Sequence, residues 1–250
     1  MKRIFITILL ISGFLGANAQ PLNLFKEANN YYAANEFDKA VKNYESIINQ
    51  GYESAQLYFN LGNACYKNGE LTKAILYYER AKLLAPNDED IQFNIDLVNQ
   101  FVVDKIEALP QPFFIKWGQG IVNLFSSNGW AWFSIIVLIM ALSGLGIYLF
   151  SKNPLFRQIS STTAVVLFSL CILSMIFAGK QKAKLTKHNA AIVFSSTVTV
   201  KSSPDNSGTD LFVIHEGLKV QIKDEVGSWY NIRLADGNSG WVQKTVLEKI

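Results

Sequence analysis

Two apolar runs without a charged residue lie close together in the middle of the chain, and they restrict its fold more than any other feature. The first run covers residues 130–150 and the second covers residues 162–178. A helix of about 21 residues reaches roughly 31 Å, which is enough to cross the hydrocarbon core of a membrane, and about 17 residues is near the lower limit. The sequence therefore predicts a transmembrane hairpin over residues 129–179, with a short break that contains Pro154. The alternative is a buried hairpin in a soluble domain, but two neighbouring uncharged runs of this length seldom occur there.

Residues 1–19 have the order of a secretory signal peptide. Lys2 and Arg3 precede an apolar run, and an Ala-x-Ala site ends at Ala19. Cleavage there would place the following domain outside the cytoplasm, and an uncleaved anchor would do the same. Two further crossings return the carboxyl-terminal domain to that side, so we expect a bacterial inner-membrane protein with both soluble domains in the periplasm. Four lysines after the second span oppose this orientation under the positive-inside rule, but the first signal usually dominates.

The charge of each segment argues against a nucleic-acid-binding function. Residues 20–109 contain 13 acidic and 8 basic residues, and residues 190–250 contain 7 and 6. The other 9 of the 23 basic residues lie in the signal and membrane regions, so the overall charge of +3 comes from the membrane flanks. A nucleic-acid-binding domain would need a basic face, and neither soluble domain has a basic excess.

The segment from residue 21 to residue 88 repeats at a fixed offset of 34 residues. The paired positions are Ala28 and Gly62, Tyr32 and Tyr66, Glu36 and Glu70, Ala40 and Ala74, and Tyr44 and Tyr78. This period, with small residues where helices cross and aromatic residues between them, is the tetratricopeptide signature. We predict an all-α tetratricopeptide repeat domain at residues 20–109, with repeats at 21–54 and 55–88. A capping helix at residues 88–103 would cover the open face of the array.

Stacked tetratricopeptide repeats have a concave face, and the resemblance to that family implies which side chains line it. These side chains are Phe25, Asn29, Tyr32, Phe59, Asn63, Tyr66 and Phe93. Aromatic rings bury area and amides bond to a peptide backbone, so the set favours an extended peptide as ligand. The lysines that would hold a terminal carboxylate are missing from these positions. The alternative is that the rings pack on one another or on the next segment of the chain.

Two prolines, Pro110 and Pro112, end the helical domain. Residues 110–128 are then predicted to be a linker whose helix lies at the membrane interface, with a packed linker as the alternative.

From residue 190 the sequence changes to short β-branched runs separated by turns. Five strands are predicted, at residues 191–200, 211–214, 219–222, 229–234 and 240–242. About 60 residues with five short strands indicate a small closed all-β barrel.

Three short stretches of this β-rich segment resemble the bacterial SH3-like domain. They are Trp229-Tyr230-Asn231-Ile232-Arg233, Asp236-Gly237 and Gly240-Trp241-Val242. Such domains bind peptides or cell-wall material, so Trp229 and Trp241 are candidate contact residues. The alternative is that both tryptophans belong to the core and that the SH3-like domain, residues 190–250, is a passive spacer.

The sequence has no pattern that indicates catalysis. No Cys or His pair has the spacing of metal ligands, no glycine-rich phosphate loop follows a strand, and no Gly-x-Ser-x-Gly motif is present. The histidines are His188, near the membrane segment, and His215, at the end of a predicted strand. We therefore predict a protein that is not an enzyme and has no cofactor or metal.

The order of signal peptide, repeats, membrane hairpin and SH3-like domain resembles the BatE-type proteins of the Bacteroides aerotolerance (Bat) family over the whole chain. Residues 88–97, 104–110 and 203–217 support this resemblance beyond domain order. It implies partners among other Bat-type membrane proteins, which have von Willebrand factor A domains, and a link to a MoxR-type ATPase. Besides membrane lipid, we thus expect protein partners in an aerotolerance or envelope-stress complex, held together by a scaffold. The alternative is a sensor that binds peptidoglycan through its SH3-like domain.

Overall fold

The computed structural model describes residues 19–107, 109, 110, 112–186 and 189–250. The predicted signal peptide lies outside the described residues, apart from Ala19. The chain divides into two compact units. The first unit contains residues 1–109 and 189–250, and the second contains residues 110–188.

The first unit begins with a helical array, as the 34-residue period predicts. Its helices are α1 (Ala19–Ala33), α2 (Phe37–Asn49), α3 (Ala55–Lys67), α4 (Leu71–Leu84) and α5 (Glu89–Asn99). Three residues join α1 to α2 and α3 to α4, so each pair is an antiparallel hairpin. The Ser54 and Asp88 side chains accept hydrogen bonds from the first turns of α3 and α5, respectively, and fix where these helices begin.

Close approach of α3 and α4 depends on Gly62. A Cβ atom at this position would lie 2.7 Å from the Tyr78 ring, so only glycine allows the ring to pack there. Ala74 is fully buried in the same contact. Small residues where the helices cross and a tyrosine beside them are the arrangement that the repeat predicts.

The last helix, α5, is shorter than the predicted segment 88–103, because it ends at Asn99. Lys105 Nζ donates to the carbonyl oxygens of Asn99 and Gln100, at 2.8 and 2.9 Å, and so satisfies carbonyl groups at the helix end. We call residues 100–107, which follow α5, the strap.

The β-rich segment forms one seven-stranded antiparallel sheet in the order β3-β2-β6-β5-β4-β1-β7. The strands are β1 (Ala190–Val193), β2 (Thr197–Lys201), β3 (Asp210–His215), β4 (Lys219–Val226), β5 (Trp229–Arg233), β6 (Ser239–Gln243) and β7 (Leu247–Lys249). Tyr230, Ile232 and Leu234 are buried on one face, in agreement with their spacing of two residues. The fold is therefore all-β and SH3-like.

Two strand predictions were wrong. The single strand predicted at residues 191–200 is interrupted at residues 194–196, where β1 ends and β2 begins on the far side of the sheet. Phe194, Ser195 and Ser196 form this corner, and the β-branched residues on both sides of it favoured one continuous strand. The sequence analysis also missed β7, which has only three residues. The ladder ends at β3 and β7, and no pairing between these two strands occurs in the described segment.

The helical array and the SH3-like domain share an interface within the first unit. Ile192 and Ile250 are buried in the core cluster of the helical array, and Ile106 of the strap packs on the core of the SH3-like domain. Arg80 of α4 donates to the Lys249 backbone oxygen at 2.6 Å and so covers the β7 edge. The two domains are therefore one body rather than two independent modules.

An ion pair between a buried carboxylate and a partly exposed lysine adds to this interface. The carboxylate of Glu79 on α4, with only 10% of the side chain exposed, accepts a hydrogen bond from Lys219 Nζ at 2.5 Å. On the strap, Asp104 Oδ2 accepts from the His215 backbone N–H at 2.6 Å, and Asp104 Oδ1 lies 2.9 Å from His215 Nδ1. Polar contacts thus fix the orientation of the two domains around the apolar contact.

The second unit contains α6 (Phe113–Asn123), α7 (Ser127–Phe150) and α8 (Pro154–Thr186). Helices α7 and α8 are long and apolar enough to cross a membrane, as predicted. Only 17% of the most apolar window of each is buried, which argues against the alternative of a soluble core. Pro154 was expected within a break, but it is the first residue of α8, where its missing N–H is not needed. The helix therefore extends well beyond the predicted span 162–178.

Small and polar side chains lie where α7 meets α8. Ser174 Oγ donates to the Trp130 backbone oxygen at 2.9 Å, and Ser127 Oγ donates to the Ala178 backbone oxygen at 3.1 Å. The Trp130 side chain is buried between the helices. Gln181 Nε2 donates to the backbone oxygen of Phe125, at 3.3 Å, and so holds the connection between α6 and α7.

Candidate functional site

An asparagine on α1 accepts two hydrogen bonds from neighbouring helices. Tyr44 Oη on α2 donates to Asn29 Oδ1 at 2.5 Å, and Asn60 Nδ2 on α3 donates to the same oxygen at 3.1 Å. The side chain of Asn29 thus ties the two helices of the first repeat to the first helix of the second. It also leaves the Asn29 amide nitrogen, with two N–H donors, without an acceptor in the described chain.

The same arrangement recurs 34 residues later. Tyr78 Oη on α4 donates to Asn63 Oδ1 at 2.7 Å, and Asn94 Nδ2 on α5 donates to that oxygen at 3.3 Å. Asn63 therefore also uses its oxygen within the fold and has its amide nitrogen available. The amide nitrogens of Asn29 and Asn63, one in each repeat, are thus equivalent donors for a ligand that would lie across the helices.

Burial keeps the two tyrosines in their neutral form. It raises the pKa of Tyr44 to about 12, with the hydrogen bond to Asn60 acting in the opposite direction, and it raises the pKa of Tyr78 further. A neutral hydroxyl donates its proton to the asparagine oxygen, and this fixes which end of each amide is free. The site therefore offers the N–H groups of Asn29 and Asn63 to a ligand, beside the Tyr32 hydroxyl and the Asn60 side-chain oxygen.

These side chains enclose a pocket of about 230 Å³, lined by Asn29, Tyr32, Tyr44, Asn60 and Asn63. No lysine or arginine lines it. Its chemistry suits an uncharged carbonyl group flanked by a small side chain, as in an extended peptide backbone.

The structure brings only some of the predicted groove residues into this pocket. Asn29, Tyr32 and Asn63 line it, whereas the half-buried Phe25, Phe59 and Tyr66 make ring contacts within the chain. The ring centroids lie 5.7 Å apart for Phe25 and Tyr44, 6.0 Å for Phe59 and Tyr78, and 6.5 Å for Tyr66 and Phe101. The side chain of Phe93 is 67% exposed. A role for these four aromatic residues in peptide binding remains a prediction.

Two pocket residues, Tyr44 and Asn60, were not among the predicted site residues. Both have an identical residue 34 positions later, Tyr78 and Asn94. The repeat offset, applied to polar as well as apolar positions, would have identified them.

The two tryptophans of the SH3-like domain share one face of its sheet. Asn231 pairs with Trp241, and Trp229 lies two residues from Asn231, so alternation places both indoles on the same side. The neighbouring Tyr230 and Val242 are buried on the opposite side. Both tryptophans are half-buried and lie on the outer face, in contrast to the alternative that they belong to the core.

The described part of the chain has little that could support catalysis. Within it, no group of three or more His, Cys, Asp or Glu side chains could hold a metal ion. Cys65 and Cys171 are buried free thiols. Burial raises the pKa of Cys65 to about 12, so this thiol is a poor nucleophile at neutral pH.

Comparison with protein-family models matches residues 25–89 to the tetratricopeptide repeat and residues 196–248 to the bacterial SH3 domain. A search of curated proteins finds no match to the chain. The first match covers both helical hairpins, and the second covers the strands from β2 to β7. The chain therefore combines a tetratricopeptide repeat region and a bacterial SH3 domain, both interaction modules, with two helices that are long and apolar enough to cross a membrane.

Proposed function

We propose that the protein is a non-enzymatic inner-membrane scaffold that presents its repeats and its SH3 domain to protein partners in the periplasm. The observation that supports this most directly is the interface between the two domains. Ile250 is 4% exposed there, and Lys219 bonds to Glu79 across it. Contacts of this kind form only when both domains lie on the same side of a membrane. The two apolar helices between them provide the two crossings that this requires.

The orientation can be tested by labelling single cysteines with a membrane-impermeant maleimide. In a background without Cys65 and Cys171, we expect Tyr52→Cys in the repeats and Asn206→Cys in the SH3 domain to react in intact cells from which the outer membrane has been removed. Lys152→Cys, between α7 and α8, should react only after the inner membrane is permeabilised. Reaction of the first two positions in different compartments would contradict the proposal.

The pocket in the repeats is proposed to bind an extended peptide segment of a partner. Asn29 and Asn63 would donate to successive carbonyl groups of its backbone, and Tyr32 would contact a side chain. No cation lines the pocket, so an internal segment fits better than a chain end with a free carboxylate. The resemblance to the Bat family suggests that the partner is a Bat-type membrane protein with a von Willebrand factor A domain, in a complex linked to a MoxR-type ATPase.

The change Asn29→Asp tests this binding mode because it is nearly isosteric. The carboxylate can still accept from Tyr44 and Asn60, but it has no N–H to donate. We expect recovery of a Bat-type partner in detergent co-purification to fall at least tenfold. The matched control is Asn30→Asp, which adds the same charge at an exposed position of α1. Equal recovery with both variants would count against the pocket.

Peptidoglycan binding is the second candidate function, and the outer-face position of Trp229 and Trp241 favours it. The part of each half-buried indole ring that faces solvent gives a flat apolar surface for a ligand. If this function holds, the full-length protein in detergent should sediment with purified sacculi, and Trp241→Ala should reduce the bound fraction. Binding that is unchanged by Trp241→Ala would exclude this face as the contact.

A further inference from the structure

The third repeat has a first helix but no second one. In the first two repeats, a phenylalanine on the first helix packs against a tyrosine on the second. These pairs are Phe25 with Tyr44 and Phe59 with Tyr78. Phe93 occupies the same position on α5, one period beyond Phe59, but in the described residues of the first unit no helix follows α5. Its side chain is 67% exposed as a result.

Phe93 is part of a larger apolar strip on α5. Phe93, Leu97 and Phe101 are spaced four residues apart, and we call them the α5 ridge. Phe101, just beyond the helix end, is 58% exposed. The opposite face of α5 contains Ile91, Ile95 and Val98, which are buried in the core of the repeats. The ridge therefore occupies the side of α5 that a second helix would cover.

The segment that follows α5 in the chain packs on the SH3 domain. After α5, the strap turns to the SH3 domain, where Ile106 packs on the core and Asp104 bonds to His215. The Leu109 backbone N–H donates to the Ala235 oxygen at 3.1 Å. These contacts prevent residues 104–109 from folding back as the missing helix.

The contact between α3 and α4 shows what kind of occupant fits the ridge. It would be a helix antiparallel to α5, with an aromatic ring beside Phe93 that lies further from the α5 backbone than Tyr78 does from α3, because Asp96 occupies the position one period beyond Gly62. Helix α5 contains Glu89, Asp90 and Asp96 and no basic residue. A basic helix complements this charge, whereas a second copy of α5 or an anionic lipid surface would be repelled.

We propose that the α5 ridge binds a basic amphipathic helix of a partner protein, which completes the third repeat. In the antiparallel arrangement, the last turn of the partner helix lies beside Asp88, Glu89 and Asp90. Lysine or arginine in that turn pairs with these carboxylates and also suits the negative end of the partner's helix dipole. This surface is separate from the Asn29 pocket, and the inference does not depend on peptide binding there.

The chain itself provides a probe for this test, because α4 is the helix that covers the equivalent position in the second repeat. A synthetic peptide with the sequence Leu71–Leu84 contains Tyr78 and has three basic residues and one acidic residue. We expect this labelled peptide to bind the full-length protein in detergent, measured by fluorescence anisotropy. The protein variant Phe93→Glu should weaken binding at least tenfold, and a peptide with Tyr78→Ala should bind similarly weakly.

Matched variants separate the ridge from other causes. Leu22→Glu places the same charge at another exposed apolar position, on α1, and should leave peptide binding unchanged. Asp96→Asn keeps the acceptor for Gln92 but removes a charge, and should cause a smaller loss that disappears at high salt. Circular dichroism shows whether Phe93→Glu remains folded, and Asp96→Asn gives an independent result if it does not.

Three results would overturn the inference. The first is no binding of the peptide to the wild-type protein, and the second is binding that Phe93→Glu and Asp96→Asn leave unchanged. The third is self-association of the wild-type protein that Phe93→Glu abolishes, measured by sedimentation, because the ridge would then bind a second copy. Loss of peptide binding in the ridge variants alone supports a partner helix.

Discussion

Asn63 illustrates how a single side chain can serve the fold and still line a candidate binding site. Its oxygen accepts from Tyr78 and Asn94, which joins three helices, while its nitrogen remains available to a ligand. A buried acceptor that lost these donors would cost about 1–3 kcal/mol, so the amide cannot turn over without destabilising the repeats. The orientation of the free N–H groups is therefore set by the core and not by the ligand.

Cys65 gives the repeats a measurable pH dependence. Burial raises its pKa to about 12, so the folded protein keeps the thiol protonated while the unfolded chain loses the proton above about pH 9. The free energy of unfolding should therefore be at its full value below pH 9 and fall as the pH rises toward 12. Tyr44 and Tyr58, whose pKa values burial also raises to about 12, add to the fall above about pH 10.

The variant Cys65→Ala isolates the contribution of the thiol to this pH dependence of the free energy of unfolding. Between pH 9 and 10, its free energy of unfolding should fall less steeply than that of the wild type, by up to about 1.4 kcal/mol per pH unit. Urea unfolding of the repeats, followed by circular dichroism at each pH, measures both slopes. Identical slopes for the two proteins would show that the thiol does not titrate in this way.

At the scale of elements, α4 connects the two folded domains. One side of α4 packs in the repeats through Ala74 and Tyr78, and the other contacts the SH3 domain through Glu79 and Arg80. Gly217 in the SH3 domain lies close to Ile75, where a Cβ atom would be only 3.1 Å from the isoleucine side chain. Helix α4 is thus covered on both sides.

The pair of Glu79 and Lys219 provides a test of this contact. Lys219→Ala leaves the Glu79 carboxylate buried without its cation and should cost about 1–3 kcal/mol in the free energy of unfolding. Adding Glu79→Gln to Lys219→Ala should restore part of that loss, since the buried charge is removed. Denaturant unfolding of the single and double variants measures this difference.

An exposed ion pair serves as the control for this experiment. Lys42 lies 3.9 Å from Asp38 on the surface of α2, and Lys42→Ala should cost less than about 0.5 kcal/mol. If Lys219→Ala cost no more than Lys42→Ala, the contact between α4 and the SH3 domain would not contribute to stability.

The local patterns in the sequence predicted elements well and their contacts poorly. The spacing of Gly62 and Ala74 predicted the helical hairpins because close helix packing requires small residues at fixed positions. The same period did not reveal that the strap leaves the array for the SH3 domain, because Ile106 is apolar in either environment. The corner between β1 and β2 was missed because β-branched residues lie on both sides of it, at Ile192 and Val193 and at Thr197 and Val198.

For the candidate site, too, the sequence predicted positions on a helix better than it predicted contacts. Asn29, Tyr32 and Asn63 were predicted from the resemblance to the repeat family, and the structure places all three around one pocket. The rings of Phe25 and Phe59 were assigned to the groove, although each contacts a tyrosine of its own repeat. Sequence spacing predicts which face of a helix a residue occupies but not which neighbour covers that face. The sequence therefore could not distinguish Phe25 and Phe59, which contact a tyrosine, from the exposed Phe93.

At the scale of the whole molecule, the first unit is made of two segments that are separated by the apolar hairpin. Residues 1–109 and 189–250 form it together, and they share a core at Ile192 and Ile250. Both ends of the gap are held in place, because Leu109 bonds to Ala235 and the Asn189 oxygen accepts from the Ile222 N–H at 2.8 Å. The fold of this unit therefore does not need the residues in between.

Replacing residues 110–188 by a Gly-Ser linker of about 10 residues should give a water-soluble protein that retains the first unit. We expect a single cooperative thermal transition for the repeats and the SH3 domain, because their interface is apolar and extensive. Calorimetry and near-ultraviolet circular dichroism would measure it. Two separate transitions, or a protein that remains insoluble, would contradict this view of the unit.

The division of the first unit also has a consequence for how the protein is made. During synthesis the repeats emerge before the hairpin, and the SH3 domain follows only after it. In the proposed topology, α4 stays uncovered at Ile75 and Glu79 until both membrane helices have been inserted. The SH3 domain can therefore dock only after both membrane helices have been inserted. A chain that crossed the membrane once would leave the apolar surface of α4 accessible to chaperones and proteases.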